Sequence, residues 1–408
     1  MRLDRLDSYL SRFLSRVTAV RSGDSLPPGV WLQLERSAFY PTAGGQQHDT
    51  GTIGAWRVDE VLEQDGVVWH KLAPGSADPA VDEVIASGQE LDCSIDWDRR
   101  FRHMQRHTAE HMLAQAFTRV GTGFHTQAVS MRGADCTIDL SGEPDAAALA
   151  AAEAEANRVA REGLPVVAFE VEDFRLEQYT LRRPTKRTGS IRLVAVGDYD
   201  VVACGGTHVK NTAEVLPIKV LGSERIKGDL TRVTFRAGEE AFDDLVARAR
   251  TTQELTRLLS APVDAQVERV QKLLDESAAL RKALAEASGA AATSLASRLL
   301  DEAVPVGSAR VVSCVLTDAT LLEPLIDALQ AAEGVVSLLA LVEDERVRLA
   351  FLAGPGAGID VRPALQAALT HVAGRGGGRP DRAQGAGSGD QVSVTAALNA
   401  ALSSLGAA

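Results

Sequence analysis

Two pairs of metal-ligating residue types, far apart along the chain, constrain this fold most. His107 and His111 stand four residues apart in a stretch, 98–120, where Met104, His107, His111, Met112, Gln115 and Phe117 recur at helical offsets. No Gly or Pro interrupts that stretch, and Gly121 and Gly123 are placed to end it. On a helix, residues four apart share a face, so both imidazoles can reach one ion. Much later comes Cys204-Gly205-Gly206-Thr207-His208. Two glycines between a thiol and an imidazole permit a tight backbone turn that aims both at one centre. Three histidines and one cysteine form a donor set suited to zinc, provided the fold brings the halves together. His103, one turn earlier, is expected outside the ligand set, which already has four members. A buried helix face with core histidines, and a buried Cys204, is the plainer reading.

His107-Thr108-Ala109-Glu110-His111 also matches the H-x-x-E-H pattern of inverted zinc peptidases, where the glutamate is the general base. That reading leaves Cys204 and His208 unexplained.

Around this core the chain reads as α+β in four segments. Residues 1–95 carry short apolar runs (Val30–Leu34, Trp56–Leu62, Val67–Leu72, Leu91–Ile95) between Gly, Pro and Asp clusters, which predicts a small β-barrel or compact sheet. Residues 96–240 alternate helix and strand and hold the zinc-bearing core. Residues 241–302 are a helical spacer, broken at Ala261-Pro262; Val263, Val267, Val270 and Leu274 form a short heptad seam. Such a seam serves dimerisation or packing on a neighbouring domain. Residues 303–408 alternate strands and helices as an α/β domain, with a glycine-rich loop at Gly374–Pro380.

The net charge of −12 argues on its face against a polyanionic partner. Position reverses this. Residues 182–236 contain eleven Lys/Arg against five acids, beginning with Arg182, Arg183, Lys186 and Arg187, and Arg99, Arg100, Arg102 and Arg106 lead into the histidine helix. Basic groups on both sides of the metal ligands suit phosphate positioning; a solvated surface with its acids elsewhere is the alternative. In Gly376–Gly385, Arg379 and Arg382 sit beside glycine backbone that could cradle phosphate oxygens, without the Lys-Ser/Thr ending of a nucleotide-binding P-loop. Ser37-Ala38-Phe39-Tyr40-Pro41-Thr42-Ala43-Gly44-Gly45-Gln46 offers hydroxyls for a small polar ligand and glycines for close approach. Four scattered cysteines and no long apolar run predict a cytoplasmic protein without a membrane span.

Taken in order, these motifs resemble the alanyl-tRNA editing family: the editing domain of alanyl-tRNA synthetase and its free-standing AlaX relatives. The resemblance rests on Gly44-Gly45-Gln46, His107…His111 and Cys204…His208, with flanking Phe39-Tyr40-Pro41, Asp49-Thr50-Gly51 and Thr137–Leu140. Gly376–Gln384 is similar to the DHH-associated domain of the long AlaX forms, and the chain looks like a stand-alone long form. The resemblance implies a Zn2+-dependent deacylase that frees serine, and glycine, from alanine tRNA. It implies metal ligands His107, His111, Cys204 and His208, and site roles for Ser37, Gly45, Gln46 and Glu110. Arg182, Arg183, Lys186, Arg187, Arg379 and Arg382 would contact the tRNA. Ser37 stands where the family has a threonine that helps recognise serine, and Glu110 where it more often has a neutral residue. An RNA-binding protein with a structural zinc is the non-enzymatic alternative.

Overall fold

The computed structural model describes residues 1–22, 26–75 and 85–406. It is a mixed α+β structure in two units, Met1–Glu254 and Leu255–Ala408.

The first unit begins with a seven-stranded antiparallel sheet. Its order is Arg12–Ser15, Leu91–Ile95, Gly51–Ile53, Trp56–Gln64, Val67–Leu72, Val30–Leu34, Val17–Ser22. The two edge strands are consecutive in sequence, with only Arg16 between them, so the sheet curls back toward itself without pairing its edges. Alternation sets the inner face. Trp56 and Val58 point inward; a register shift between Val58 and Glu60 then brings Val61 in. Phe39, Leu32 and Ile53 complete that core.

The histidine helix, Trp97–Val120, follows directly. It packs with the helix Ala146–Glu162 on a four-stranded antiparallel sheet ordered Ile218–Lys227, Leu230–Ala237, Cys136–Ser141, Thr126–Ser130. Every residue from His103 to Ala114 is buried, whatever its polarity. A helix buried all round must find partners inside the protein for its polar side chains, and those partners make the sites described below. Arg100 anchors its first turns. Its guanidinium, fully buried, donates to Asp49 and to the carbonyls of Ser8 and Ala38. A three-stranded sheet, Val166–Glu172, Ser190–Val196 and Asp200–Ala203, presents the Cys204 turn at its end.

In the second unit a six-stranded sheet runs Val304–Val306, Ala309–Leu316, Val335–Glu343, Arg346–Ala353, Arg382–Ser388, Arg375–Arg379. The Ala309–Leu316 and Val335–Glu343 strands are parallel, joined through the helix Leu322–Gln330. Helices Arg362–Leu369 and Gln391–Gly406 cover one face; Leu322–Gln330 and the end of the helix Gln266–Asp301 cover the other. Val335–Leu341 is buried at every residue, as a strand covered on both faces requires.

The glycine-rich stretch expected as a loop is instead a β-hairpin, Arg375–Arg379 with Arg382–Ser388, turning at Pro380-Asp381. A Cβ at Gly376 or Gly378 would strike the Gln384 or Arg382 carbonyl, and one at Gly387 the Val372 carbonyl. These glycines allow close backbone approach, while their low strand propensity disguises the strands in the sequence. The heptad seam is exposed at Val263, Val267, Val270 and Leu274.

Candidate metal centre

The fold brings the two ligand pairs together. The ligand atoms of His107, His111, Cys204 and His208 lie within 4.8 Å of one another. Cys204 Sγ is 3.3 Å from His107 Nε2 and 3.4 Å from His208 Nε2. A tetrahedral zinc with bonds of ~2.0–2.3 Å would separate its ligands by roughly 3.3–3.8 Å, so this donor set fits one ion.

Two of the three imidazoles are aimed by a hydrogen-bonded group behind them. His107 Nδ1 lies 2.8 Å from Gln46 Oε1, and Gln46 in turn donates to Thr207 Oγ1 and accepts from Thr207 N. His208 Nδ1 lies 3.0 Å from Thr108 Oγ1, which also accepts from Val209 N. His111 Nδ1 faces Asp200 Oδ2 at 3.8 Å, and neither atom has a hydrogen-bond partner. On His107 and His208, polar partners on the far nitrogens fix tautomer and ring direction, as metal-binding histidines require. Arg192 Nη1 donates to the carbonyls of Cys204 and Gly206 and so holds the turn. Gly206 packs against His107 so closely that a Cβ would overlap its ring. In the metal-free protein, burial pushes the Cys204 thiol up to about 11 and His107 down to about 3. The buried donors are therefore uncharged, and a divalent cation is what would stabilise the thiolate.

His107, His111 and Cys204 border a cavity of about 380 Å³, also lined by Arg2, Arg5, Tyr40, Gly44, Glu110 and Arg182. Glu110 is buried, and burial raises its carboxyl to about 7 against the pull of Arg182. Arg183 and Arg187 line the same cavity; they and Lys186 are exposed and form no ion pair among the described residues. Arg182 differs from them. Its side chain is only 5% exposed and is paired with Asp200, Nε to Oδ1 3.0 Å. Most of the remaining local positive charge is answered by acids from elsewhere: Arg232 by Asp139, Arg236 by Asp135 and Asp244, Lys219 by Glu153.

Gln46 reaches the centre through His107, and Gly45 packs behind the cavity wall on Val129. Ser37 does not line the cavity. Its hydroxyl is buried 2.7 Å from His70 Nε2 and accepts from Phe39 N. Arg379 and Arg382 face each other on the hairpin of the second unit, beside Asp381 and Glu323. His103 stays outside the ligand group, as expected. Sequence reasoning missed Thr108, Asp200 and Arg192. Thr108 was findable beside His107; Asp200 and Arg192 carry no motif, and only strand pairing brings them in.

A family model described as the threonyl and alanyl tRNA synthetase second additional domain matches residues 191–234, which include Cys204 and His208. The chain is 29% identical over 391 residues to the alanyl-tRNA editing protein AlaX-L of Pyrococcus horikoshii, covering 93% of this chain and 92% of that protein. It is 31% identical over 258 residues to the alanyl-tRNA editing protein Aarsd1 of Rattus norvegicus, covering 62% and 60%. It is 30% identical to the alanine–tRNA ligase of Thermococcus kodakarensis over 93% of this chain, but it spans only 41% of that ligase's length. A solved C-Ala domain from Aquifex aeolicus alanyl-tRNA synthetase matches 26% of this chain and 97% of that domain at 19% identity and a TM-score of 0.24, too low to carry weight. The chain is thus similar to an alanyl-tRNA editing protein over nearly the whole length of both, with the motifs of that group in order along it.

Proposed function

We propose that this chain is an aminoacyl-tRNA deacylase that hydrolyses the ester joining serine, and secondarily glycine, to alanine tRNA, with Zn2+ held by His107, His111, Cys204 and His208. The observation that carries the reading is the convergence of those four donors, three of them (His107, His111 and Cys204) lining a cavity that also holds a buried carboxyl and unpaired arginines. Editing relatives along the chain support it.

When bound, the metal supplies Lewis-acid polarisation. The protein's own groups do the rest. Glu110, poised near neutrality by burial, takes a proton from the attacking water. The acyl–oxygen bond then breaks, releasing the amino acid and leaving the ribose hydroxyl on the tRNA. Gln46 keeps His107 in one tautomer, and Gly44-Gly45 lets the aminoacyl end approach the main chain. Ser37 acts at one remove, holding Phe39 and hence the cavity residue Tyr40 in place. A site that hydrogen-bonds the serine hydroxyl can separate serine from alanine, which an alanine-sized pocket does poorly. Arg183, Lys186 and Arg187 meet RNA phosphates at the cavity mouth, with Arg182 bracing that segment from within. Arg379 and Arg382 serve the tRNA body from the second unit. The four segments 1–95, 96–240, 241–302 and 303–408 then divide into barrel, chemistry, spacer and tRNA grip, and the exposed heptad seam suits pairing with a second copy. No helix among the described residues is long and apolar enough to cross a membrane.

Release of serine from serine-charged alanine tRNA tests this directly. His107→Ala should abolish release; unchanged hydrolysis would contradict the assignment. Binding without release would favour the structural-zinc alternative.

A further inference from the structure

One turn before the metal ligands, the histidine helix borders a second cavity, of about 370 Å³, whose walls include Gln47, Arg99, His103, Arg106 and Arg132. His103 is only 2% exposed. Its Nδ1 lies 3.3 Å from Arg106 Nη1. A guanidinium can only donate, so Nδ1 is the acceptor and the ring proton sits on Nε2. That N–H has no hydrogen-bond partner. A buried donor without an acceptor costs about 1–3 kcal/mol, which asks for a missing partner that accepts. Burial and the neighbouring arginines hold the ring neutral, down to about 3, so it remains a single, fixed donor.

The charges around it point the same way. Arg106 is paired with Glu240, and Arg102 with Glu239 at 3.1 Å. Arg99 forms no ion pair with a carboxylate among the described residues, and Asp49 and Asp96, committed to other arginines, act on it only from a distance. It donates to the His48 carbonyl at 3.0 Å and the Gln47 amide oxygen at 3.3 Å, both uncharged. Arg132 is exposed and forms no hydrogen bond or ion pair among the described residues. Asp98 is the one unpaired acid in the wall, and it is exposed. Two uncompensated guanidinium groups and a buried N–H thus share one cavity. A neutral carbonyl would satisfy the N–H but leave both charges unanswered; a tetrahedral oxyanion satisfies all three.

We propose that this cavity is a phosphate-binding site, in which one phosphate group accepts from His103 Nε2 and from the free N–H groups of Arg99 and Arg132. The site is separate from the metal centre and does not depend on the deacylase reading. Two sources share this chemistry: a phosphodiester of an RNA strand and free inorganic phosphate.

The test uses the full chain, metal-loaded, at fixed ionic strength. Inorganic phosphate is titrated calorimetrically, and a fluorescent RNA hairpin by anisotropy, against wild type, His103→Phe and Arg132→Ala. Arg132 has no partner to lose, so that variant keeps its fold; melting temperature checks the other. Each substitution should weaken binding at least about tenfold, the scale of a hydrogen bond to a charged group. Loss of RNA affinity in both variants identifies the phosphodiester; loss for inorganic phosphate alone identifies the free ion. If neither ligand responds to either substitution, the site does not exist. A response to Arg132→Ala with His103→Phe silent also overturns it, because a surface charge alone would behave that way.

Discussion

Two buried histidines, His70 and His107, each take a hydrogen bond or contact from the same short segment, 37–46, and they do opposite things. His70 has both nitrogens occupied, Nδ1 by the Leu32 carbonyl at 2.9 Å and Nε2 by Ser37 Oγ at 2.7 Å. It seals the curled sheet. His107 has Nδ1 held by Gln46, while Nε2 looks onto the Cys204 sulfur and the cavity. One nitrogen held and the other released is what makes a histidine a ligand. Identical residue types, burial and source segment give a strut in one place and a free nitrogen in a candidate donor cluster in the other. The difference lies wholly in what faces the second nitrogen.

The sharpest way to break this contrast is Gly206→Ala. Its methyl would overlap the His107 ring, so bound metal in the purified protein should fall to background by elemental analysis. The stability attributable to His70 should be untouched. Arg100→Met tests what the two histidines share. Removing a fully buried guanidinium strands Asp49 and should cost about 3–5 kcal/mol in urea unfolding. Because Asp49 also accepts from Tyr40 N, beside the cavity, both regions should suffer.

Acid unfolding isolates the strut. Burial lowers His70 to about 4 from an ordinary value near 6.5. A depressed folded-state value means the unfolded chain takes up the proton first. Stability from the neutral ring is therefore complete above about pH 6.5 and is lost as pH falls toward 4, to a total of about 3 kcal/mol. Urea midpoints across that range should slope less in His70→Phe than in wild type; equal slopes would place the titration elsewhere. The smallest effect belongs to Gln46→Ala, which frees the back of His107 and should weaken metal affinity about 10- to 100-fold in a competition with a chromophoric chelator.

The four candidate donors were legible in the sequence because their spacing is short and their chemistry uncommon: His107 and His111 on one helix, Cys204 and His208 across two glycines. The main strands of the barrel and of the second unit were legible from period and composition. Other elements were not. Ile218–Lys227 went unread as a strand because polar residues and Gly222 dilute its alternation, whereas Leu230–Ala237 alternates strictly and was overlooked inside the basic run. The glycine hairpin concealed itself through low propensity. Ser37 read as a group for the substrate because a hydroxyl beside Phe39-Tyr40 carries no sign of His70, which reaches it only through the pairing of Val30–Leu34 with Val67–Leu72. The basic run read as a phosphate surface, yet its strand arginines answer acids that only cross-strand register brings opposite, as Arg232 does Asp139.

The central claim is that the four converging donors form a metal centre on which deacylation depends. The most direct measurement is serine release from serine-charged alanine tRNA by one preparation in three states: as purified, stripped by a chelator, and resupplied with one equivalent of Zn2+. The account predicts release, its loss, and its recovery, with recovery absent in Cys204→Ala. Release that persists at full rate in the stripped protein would contradict it.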